Sequence, residues 1–548
     1  MNPNEGRPLA VVVDGTLTKG ITANLDADCS VEDVRVGQFV KIHGEKYDFF
    51  CLVTDVMLNA ANADVLANPP DPSDAFTRLV LQGTNLFGSV SLQPMLMLGK
   101  MPAAETDPSE LGQALPVRTV PVHFAPVSLA GRADFDRVFA QPGDSSWQVG
   151  TPRDMDIPIL LDLERVAERS NGVFGKSGSG KSMLTRLLLC GLIRSDRAVN
   201  LIFDMHSEYA WPKPDRGAVL RSLTDLFGRR VAVYTLKSNR PRPIGHKSDG
   251  DIAIGMNEIT RDDVVLLSEL LNLNETALET IHLLETEFRE GWLLNLLEMD
   301  TPAIKDFADR AGAHPAAVGA LKRKLSQLQR LDFVISEFRS PEASSISHIV
   351  RSLSSGRSVV LAFDQEGDLL QYMLVANIIT RRIHDKWRTD SQLADAENRE
   401  RPRQLVVTIE EAHKFLSPSA ARHTSFGQIA RELRKFNVTL LVVDQRPSGI
   451  DPEVLSQIGT RFSCQLNDEN DIAAILAGVS GASHLRSVLA SLDSQQEAIL
   501  LGHAVPMPVV VKVRTIDEAF YADATASDKR MDLPTGRGLL DMATLPDD

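Results

Sequence analysis

Cysteine, aromatic residues and long apolar runs are all scarce in this 548-residue sequence. The four cysteines lie far apart and lack C-x-x-C spacing, so they predict neither a zinc site nor a disulfide framework and favour a reducing, cytoplasmic location. No window of about 18 apolar residues occurs, which argues against a membrane-spanning helix. The first apolar run, Leu9 to Val13, is too short for the core of a signal peptide.

Positive charge is also in deficit, because 58 lysines and arginines face 73 aspartates and glutamates and give a net charge of -15. This balance argues against a uniformly basic nucleic-acid coat and against a membrane-surface binder. A local basic channel remains compatible with it. The length exceeds that of one compact core, so two or three domains are expected.

A phosphate-binding loop is the strongest motif that the sequence does contain. The run Gly175-Lys176-Ser177-Gly178-Ser179-Gly180-Lys181-Ser182 follows an apolar strand pattern and precedes a helical one. It matches G-x-x-x-x-G-K-[ST], in which backbone N–H groups surround nucleotide phosphates, the lysine reaches the β and γ phosphates and the hydroxyl ligates Mg²⁺. The loop therefore predicts binding of ATP and Mg²⁺, with Lys181 and Ser182 as the functional side chains; a plain glycine-rich turn at a helix start is the alternative.

The chain divides into two parts with different residue patterns. Short β-type runs between turn residues, among them Val34 to Ile42, Leu79 to Leu81 and Val117 to Phe124, predict an N-terminal β-barrel over 1–145, or else an irregular β-domain. From 146 to 520, continuous Val/Ile/Leu runs alternate with helical patterns, which predicts an α/β core with a parallel sheet covered on both faces. A helical insertion is expected at about 257–349 and a polar arm at 521–548.

A pair of carboxylates ends one of the buried runs. Leu405 to Ile409 leads directly into Glu410 and Glu411, and hydrolysis needs acidic groups that hold the metal and aim a water at the γ-phosphate. We expect Glu410 to hold the hydration shell of Mg²⁺ and Glu411 to polarise the attacking water. An ordinary acidic helix N-terminus is the alternative.

The next buried strand, Val438 to Val443, ends in Asp444-Gln445, so Gln445 is predicted to sense the γ-phosphate unless it is a simple capping residue. Between these strands a short helix carries Arg431 and Arg434 on nearly one face. A guanidinium from a neighbouring subunit is well suited to neutralise the transferring phosphoryl group. Arg434 is the first candidate and Arg431 the second; a surface ion pair is the alternative for each.

Polar residues also follow the strand Val199 to Phe203, at an end predicted to lie beside the phosphate loop. Ligands of open parallel sheets bind at the carboxyl ends of strands. We therefore expect Asp204, His206 and Glu208 to hold the residues that contact the ligand in position. Candidate DNA contacts are Arg422 and His423 in the loop Ser417 to Phe426, with Arg240 and Arg242 behind them.

Together these motifs resemble the HerA family within the HerA/FtsK group of ring ATPases. The resemblance is carried by the phosphate loop and by five further stretches: Asp204-Met205-His206-Ser207-Glu208-Tyr209, Glu410-Glu411-Ala412-His413, Arg434-Lys435-Phe436, Gln445-Arg446-Pro447, and the ending Glu497 to Gly502 with Pro508 to Val513. It extends to the N-terminal barrel from Gly37-Gln38-Phe39-Val40 onward.

The resemblance implies a RecA-like P-loop ATPase core that assembles as a homohexamer and threads double-stranded DNA through its pore. It further implies a nuclease or sirtuin-like effector at the N-terminal barrel, in DNA end processing or anti-phage defence, with no membrane involved. Two other classes stay open: a secretion-type protein-translocating ATPase, and an ATPase scaffold that regulates an effector enzyme.

Overall fold

The computed structural model describes residues 8–526 apart from 63–69, 72, 75, 78–79, 82–85, 101–113, 140–142, 144, 154, 216–217, 238–246, 339–342, 364–368, 423, 480 and 494–495. Its strands are β1 (Pro8–Thr16), β2 (Gly20–Leu25), β3 (Phe39–His43), β4 (Tyr47–Ala60), β5 (Leu86–Gly99), β6 (Ala114–Pro116), β7 (Pro126–Leu129), β8 (Ser146–Pro152), β9 (Ile159–Asp162), β10 (Asn171–Phe174), β11 (Val199–Asp204), β12 (Lys213–Asp215), β13 (Ala218–Leu220), β14 (Val231–Leu236), β15 (Gly250–Ile252), β16 (Ile254–Gly255), β17 (Val334–Ile335), β18 (Ser358–Ala362), β19 (Leu405–Glu410), β20 (Val438–Asp444), β21 (Thr460–Ser463), β22 (Glu497–Gly502) and β23 (Val509–Val513).

Its helices are α1 (Arg132–Val138), α2 (Leu163–Glu168), α3 (Lys181–Ser195), α4 (Leu223–Phe227), α5 (Arg261–Leu266), α6 (Glu275–Phe288), α7 (Trp292–Glu298), α8 (Thr301–Ala311), α9 (Pro315–Gln329), α10 (Ser345–Ser354), α11 (Leu369–Ala396), α12 (His413–Leu416), α13 (Ser425–Glu432), α14 (Pro452–Ser456), α15 (Glu469–Leu476), α16 (Ala482–Ala490) and α17 (Glu518–Thr525). None of the helices in this described part is long and apolar enough to span a bilayer.

The N-terminal part is a barrel, as the sequence predicts. Its strands follow the order β2-β1-β7-β3-β4-β5, and β5 pairs again with β2 to close the sheet, while β6 adds to β5. Closure satisfies the backbone groups that an edge strand would leave open. Alternating apolar residues of β1, β3, β4 and β5, such as Val12, Val40, Val53 and Leu92, fill the interior.

The barrel packs firmly on the rest of the chain. Phe39 and Phe50 form edge-on contacts with Phe135 of α1, with ring centroids 5.4 and 5.7 Å apart, and these rings belong to the same apolar cluster as the large sheet. The side chain of Arg153 donates to the Val36 carbonyl at 2.9 Å and to the Glu497 carboxylate at 2.7 Å. One outer face of the barrel therefore packs into the apolar cluster of the core, with a polar tie at its edge, while the barrel interior forms a cluster of its own.

A twelve-stranded sheet forms the core, in the order β15-β14-β18-β11-β19-β20-β10-β21-β22-β23-β8-β9. The strands from β15 to β21 are parallel, whereas β22, β23, β8 and β9 run antiparallel. The predicted parallel sheet is thus extended by an antiparallel flank. Because β11, β19, β20 and β10 are covered on both faces, every residue in them is buried.

The strand before the phosphate loop, β10, lies between β20 and β21, and β19 follows on the far side of β20. Phe174, the last residue of β10, is in register with Asp444 of β20 and with Ser463 of β21. In turn Glu410, the last residue of β19, is in register with Val443. The carboxyl ends of these parallel strands meet at one edge of the sheet, where ligands of open α/β sheets bind.

The predicted helical insertion is present between β16 and β18, from Met256 through helices α5 to α10. It is fixed to the core by a buried acid. Asp263 of α5 is fully buried and accepts hydrogen bonds from Asn377 at 2.7 Å and from Arg381 at 2.9 Å, both on α11. A buried carboxylate with such partners holds its element in one place.

The C-terminal helix crosses the predicted boundary between core and arm at 520. Its first half packs on the core, since the Arg514 guanidinium lies 5.4 Å from the ring of Trp147 and 5.3 Å from that of Phe520, and donates to Asp523 at 2.8 Å. The core therefore extends at least to Thr525. The rest of the predicted arm, 527–548, lies outside the described residues.

Candidate nucleotide-binding site

The phosphate loop has a backbone that glycine alone adopts easily. Gly175, Gly178 and Gly180 have positive φ values of 152°, 76° and 94°. At Gly175 a Cβ would also lie 2.6 Å from the Ser179 hydroxyl and 2.8 Å from Cys464 Cβ, so this position has no room for a side chain. The loop leads into the 15-residue helix α3 at Lys181, and its amides and the helix N-terminus form a concave anion-binding surface.

Lys181 lies across this loop. Its ammonium donates to the Lys176 carbonyl at 2.8 Å, and the Ser179 hydroxyl donates to the same oxygen at 2.8 Å. Burial lowers the pKa of Lys181, while the carboxylates of Glu411, Asp444 and Glu208 act in the opposite direction. The lysine is thus partly desolvated and held over the surface that phosphates would occupy.

A cavity of about 790 Å³ extends from the loop along the sheet edge. The phosphate loop from Ser177 to Met183 forms one end, and the carboxylates of Glu208, Glu410 and Glu411 form a side. Lys213, Pro214 and Leu220 of the β12–β13 hairpin and residues 513–516 form the remaining walls. The volume and lining fit a nucleoside triphosphate with its phosphates at the loop.

Glu410 is almost completely buried at the tip of β19. Its carboxylate accepts from the Met205 amide at 3.1 Å and from the Tyr209 hydroxyl at 3.2 Å, and its carbonyl accepts from the Tyr372 hydroxyl at 3.0 Å. Burial, followed by the charges of Asp204 and Glu208, raises the pKa of Glu410 well above its usual range. The side chain is held in place before any metal arrives.

Glu411 has a left-handed backbone, with φ of 50°, and turns its side chain toward the next strand. There the Gln445 amide donates to the Glu411 carboxylate at 3.0 Å. The two residues that the sequence places at the tips of neighbouring strands therefore lie in contact beside the cavity. A carboxylate and an amide in contact there can accept a proton from a water and orient it.

The strand β11 is not beside the phosphate loop, because β19 and β20 separate it from β10. Nevertheless His206 and Glu208 line the cavity, since the turn after β11 reaches across the sheet edge. Asp204 is fully buried below them and accepts from the amides of Glu208, Tyr209 and Ala210 at 2.7, 2.9 and 2.8 Å. This aspartate fixes the turn rather than facing a ligand.

The oxygen ligands at this edge fit Mg²⁺. The Ser182 hydroxyl and the Glu410 and Glu208 carboxylates line the same cavity, and oxygen atoms of these types are what Mg²⁺ prefers. Within the described structure, Glu208 Oε2 is buried without a hydrogen-bond partner, whereas its Oε1 accepts from Lys213 at 3.1 Å. An unused buried carboxylate oxygen is available to the ion or to its waters.

Arg431, one of the two candidate arginines, lies away from this cavity. Arg431 of α13 forms an ion pair with Glu453 at 3.3 Å and lines a separate cavity of about 710 Å³, together with Arg169 and Arg461. Arg434 lies in the 3-10 helix Leu433–Phe436, and its side chain is outside the described residues. The described structure therefore does not bring Arg431 to the phosphate loop of its own chain.

Of the candidate DNA contacts, Arg422 is exposed, whereas His423, Arg240 and Arg242 lie outside the described residues. The loop that carries Arg422 is packed tightly on α13. A Cβ at Gly427 would lie 1.8 Å from the Ala421 carbonyl oxygen, and the Thr424 hydroxyl donates to the Phe415 carbonyl at 2.9 Å. The backbone that carries the exposed Arg422 is therefore held against α13.

Several residues of the site are not apparent from motif spacing. Tyr209 and Tyr372 hold Glu410, Cys464 lies against the phosphate loop, and Thr515 and Ile516 close the cavity. Burial raises the pKa of the Cys464 thiol to about 11, so it stays protonated. Of these, Tyr209 carries a readable signal, because it ends the stretch Asp204 to Tyr209 that supports the family resemblance, whereas Tyr372 lies in α11 without such a motif.

Comparison with known proteins agrees with this architecture. Residues 147–383 match the family model described as Helicase HerA, central domain. The chain is 34% identical over 398 residues to the DNA double-strand break repair helicase HerA of Saccharolobus solfataricus, covering 72% of this chain and 73% of that protein. The corresponding protein of Sulfolobus acidocaldarius is 26% identical over 425 residues, covering 75% and 76%.

Among solved structures, VirB4 of Thermoanaerobacter pseudethanolicus aligns with 70% of this chain and 100% of its own, with 15% identity and a TM-score of 0.46. The sequence identity and coverage of the Saccharolobus solfataricus relative establish the family. The chain is a P-loop ATPase and belongs to the HerA helicase family.

Proposed function

We propose that this ATPase is a DNA translocase that works as a homohexameric ring on double-stranded DNA. The observation that carries the proposal is the contact between Glu411 and Gln445 beside the cavity that begins at the phosphate loop, in a chain of this family. Relatives in this family are named DNA double-strand break repair helicases. The chain would couple ATP hydrolysis to movement along DNA.

In this proposal Lys181 and the loop amides bind the β and γ phosphates, and Ser182 with Glu410 would hold Mg²⁺. The ion supplies charge neutralisation at the phosphate oxygens. Glu411 accepts a proton from the water that attacks the γ-phosphorus, the bond from that phosphorus to the bridging oxygen breaks, and Gln445 orients the water or the γ-phosphate. Products are ADP and inorganic phosphate.

A neighbouring copy is proposed because the site lacks a free guanidinium. Among the described cationic side chains that line the cavity, Lys213 is paired with Glu208, and Arg514 with Asp523. Arg186 is likewise engaged, by the carbonyls of Arg221 and Glu208. Lys181 alone is left for the phosphates, whereas transfer of a phosphoryl group is accelerated strongly by an added arginine.

The barrel is the proposed docking surface for a nuclease or sirtuin-like effector, in DNA end processing or phage defence. Its attachment to the core supports this, because a partner bound there would be held next to the motor. Nothing in the described site favours one effector over the other. Co-purification from the native host, followed by mass measurement of the intact complex, identifies the partner and the stoichiometry together.

Duplex DNA is expected to stimulate ATP hydrolysis and to bind in a salt-dependent manner. If about six phosphates are contacted, the affinity should fall roughly 10³-fold between about 50 and 200 mM salt, because counterions are released on binding. Titration of labelled duplex at several salt concentrations, with steady-state ATPase assays, measures both. Absence of stimulation by any DNA would contradict the proposal and favour protein translocation.

Arg434→Ala is expected to lower the turnover number about 10³-fold if the arginine acts on a neighbour's nucleotide. The test mixes Arg434→Ala with Lys181→Ala subunits, which are both inactive alone. In a mixed ring, an Arg434→Ala subunit still has Lys181, and a neighbouring Lys181→Ala subunit still has Arg434. The nucleotide site between these two subunits has both residues, so mixing should restore part of the activity. Arg431→Ala serves as the parallel variant, and no recovery on mixing would show that Arg434 does not act between subunits.

A further inference from the structure

Asp444 is a buried carboxylate in the wall of the cavity that does not belong to the proposed catalytic set. It is the last residue of β20, in register with Phe174, the residue that precedes the phosphate loop. On the other side of β20, its neighbour across the sheet edge is the Glu410–Glu411 tip of β19. Asp444 thus stands between the two elements that the reaction must align.

Its oxygens connect the ends of the two strands. Asp444 accepts from the His413 amide at 2.6 Å and from His413 Nδ1 at 3.0 Å, and it accepts from the Arg446 amide at 2.7 Å. The first two bonds hold the chain just after Glu411, and the third holds the chain just after Gln445. Both halves of the Glu411–Gln445 contact are therefore anchored to one carboxylate.

This anchoring explains how Glu411 keeps a backbone conformation that is unfavourable for it. Its φ of 50° lies in the left-handed region, which costs a residue other than glycine about 1 kcal/mol or more unless its surroundings enforce it. The bonds from Asp444 to His413, two residues on, enforce the turn. The turn in turn directs the Glu411 carboxylate to Gln445.

We infer that Asp444 is a positioning residue that acts through His413 to hold Glu411 and Gln445 in the geometry for hydrolysis. The inference rests on the proposed role of Glu411 as the group that activates water. Hydrogen bonds to a charged carboxylate are roughly twice as strong as neutral ones, so the anion itself matters. Displacement of a reacting group by about 1 Å can cost about 10²-fold in rate.

The groups that face the His413 imidazole agree with this role. They are Asp444, the Glu411 carboxylate at 3.7 Å and Lys414. The hydrogen bond to Asp444 raises the pKa of His413 above its ordinary value, and burial opposes it. Stability from this pair is present below pH 6.5 and is lost as the pH rises through the raised pKa.

The test is Asp444→Asn, which preserves shape but leaves one of the bound N–H groups facing an amide N–H. We expect the turnover number to fall about tenfold or more, while the KM for ATP and the affinity for a non-hydrolysable ATP analogue stay within about twofold. The control is Asp263→Asn, a buried carboxylate with partners on α11, which should lower the melting temperature but leave the turnover number unchanged below it.

A second pair of variants tests the path through His413. His413→Asn places an amide N–H where Nδ1 lies and should retain most of the turnover, whereas His413→Phe, which removes the Nδ1 bond but keeps the backbone bond, should lower turnover clearly but by less than Asp444→Asn. The inference is overturned by normal turnover in Asp444→Asn, by a joint loss of affinity and stability, or by equal loss in both His413 variants. If Glu411→Gln were fully active, the proposed function would fail first, so the two failures are distinguishable.

Discussion

Replacement of Lys181 by alanine is expected to weaken ATP binding by about 10² to 10⁴-fold, because charge-assisted hydrogen bonds to two phosphates are each worth about 1.5–3 kcal/mol. In the structure its ammonium lies over the loop and donates to the Lys176 carbonyl at 2.8 Å. Burial lowers its pKa, and the nearby carboxylates oppose this shift. Fluorescence titration with a labelled ATP analogue measures the affinity.

Lys176→Ala is the matched control for this variant. Lys176 belongs to the same loop, but its contribution to the contact is its backbone carbonyl, which alanine retains. Its affinity for the analogue should therefore remain near that of the unaltered protein. Tight binding by Lys181→Ala would show that the phosphates lie elsewhere and would remove the basis for the whole site.

Glu411→Gln is expected to reduce turnover by about 10² to 10⁴-fold while ATP binding persists, because glutamine cannot accept the proton of the attacking water. The amide keeps the size of the side chain, and its oxygen can still accept the hydrogen bond from Gln445. In the unaltered protein this bond is 3.0 Å long. Single-turnover hydrolysis separates the chemical step from binding and product release.

Glu269→Gln, an exposed change on the helical insertion, controls for loss of charge and should leave turnover intact.

Glu411→Gln also distinguishes a motor from a scaffold. If the chain drives an effector by translocation, effector activity should disappear with hydrolysis. If that activity survived without turnover, the chain would instead be a nucleotide-regulated scaffold.

The core strands could be predicted from the sequence because burial on both faces leaves an unbroken apolar run. Val199 to Phe203 is a clear case, because it forms the strand Val199–Asp204. The strands of the barrel are harder to predict. Predicted strands at Val117 to Phe124 and Leu79 to Leu81 are wrong: the former is irregular, since Pro121 has no N–H to donate, and Val80 and Leu81 are helical.

Strands that contain small or polar residues are not recognised from an apolar sequence pattern. β5, Leu86–Gly99, carries Ser89, Ser91 and Gln93 between its apolar residues, and these polar side chains are buried or half-buried at contacts with neighbouring elements. Burial of polar residues in a sheet depends on partners that a local pattern does not contain.

The candidate site was predictable where one residue type defines the chemistry, as in the phosphate loop, and less so where function depends on contact. The adjacency of β19 and β20 makes the approach of Gln445 to Glu411 predictable from strand ends. The role of Asp444 is not, because it requires the left-handed turn at Glu411 that brings His413 back over the strand end. Nor could spacing place β11, which is two strands away from the predicted position.

The packing of the barrel on the core has a mechanical consequence. Ser487 of α16 donates to the Thr54 carbonyl of β4 at 2.9 Å, and a Cβ at Gly37 would lie 3.6 Å from Val510, so the described parts of the barrel and the core are in direct contact. The proposed partner at the barrel would therefore move together with the ATPase sheet. Separating the two parts would expose the apolar side chains of Phe39, Phe50 and Phe135 to water.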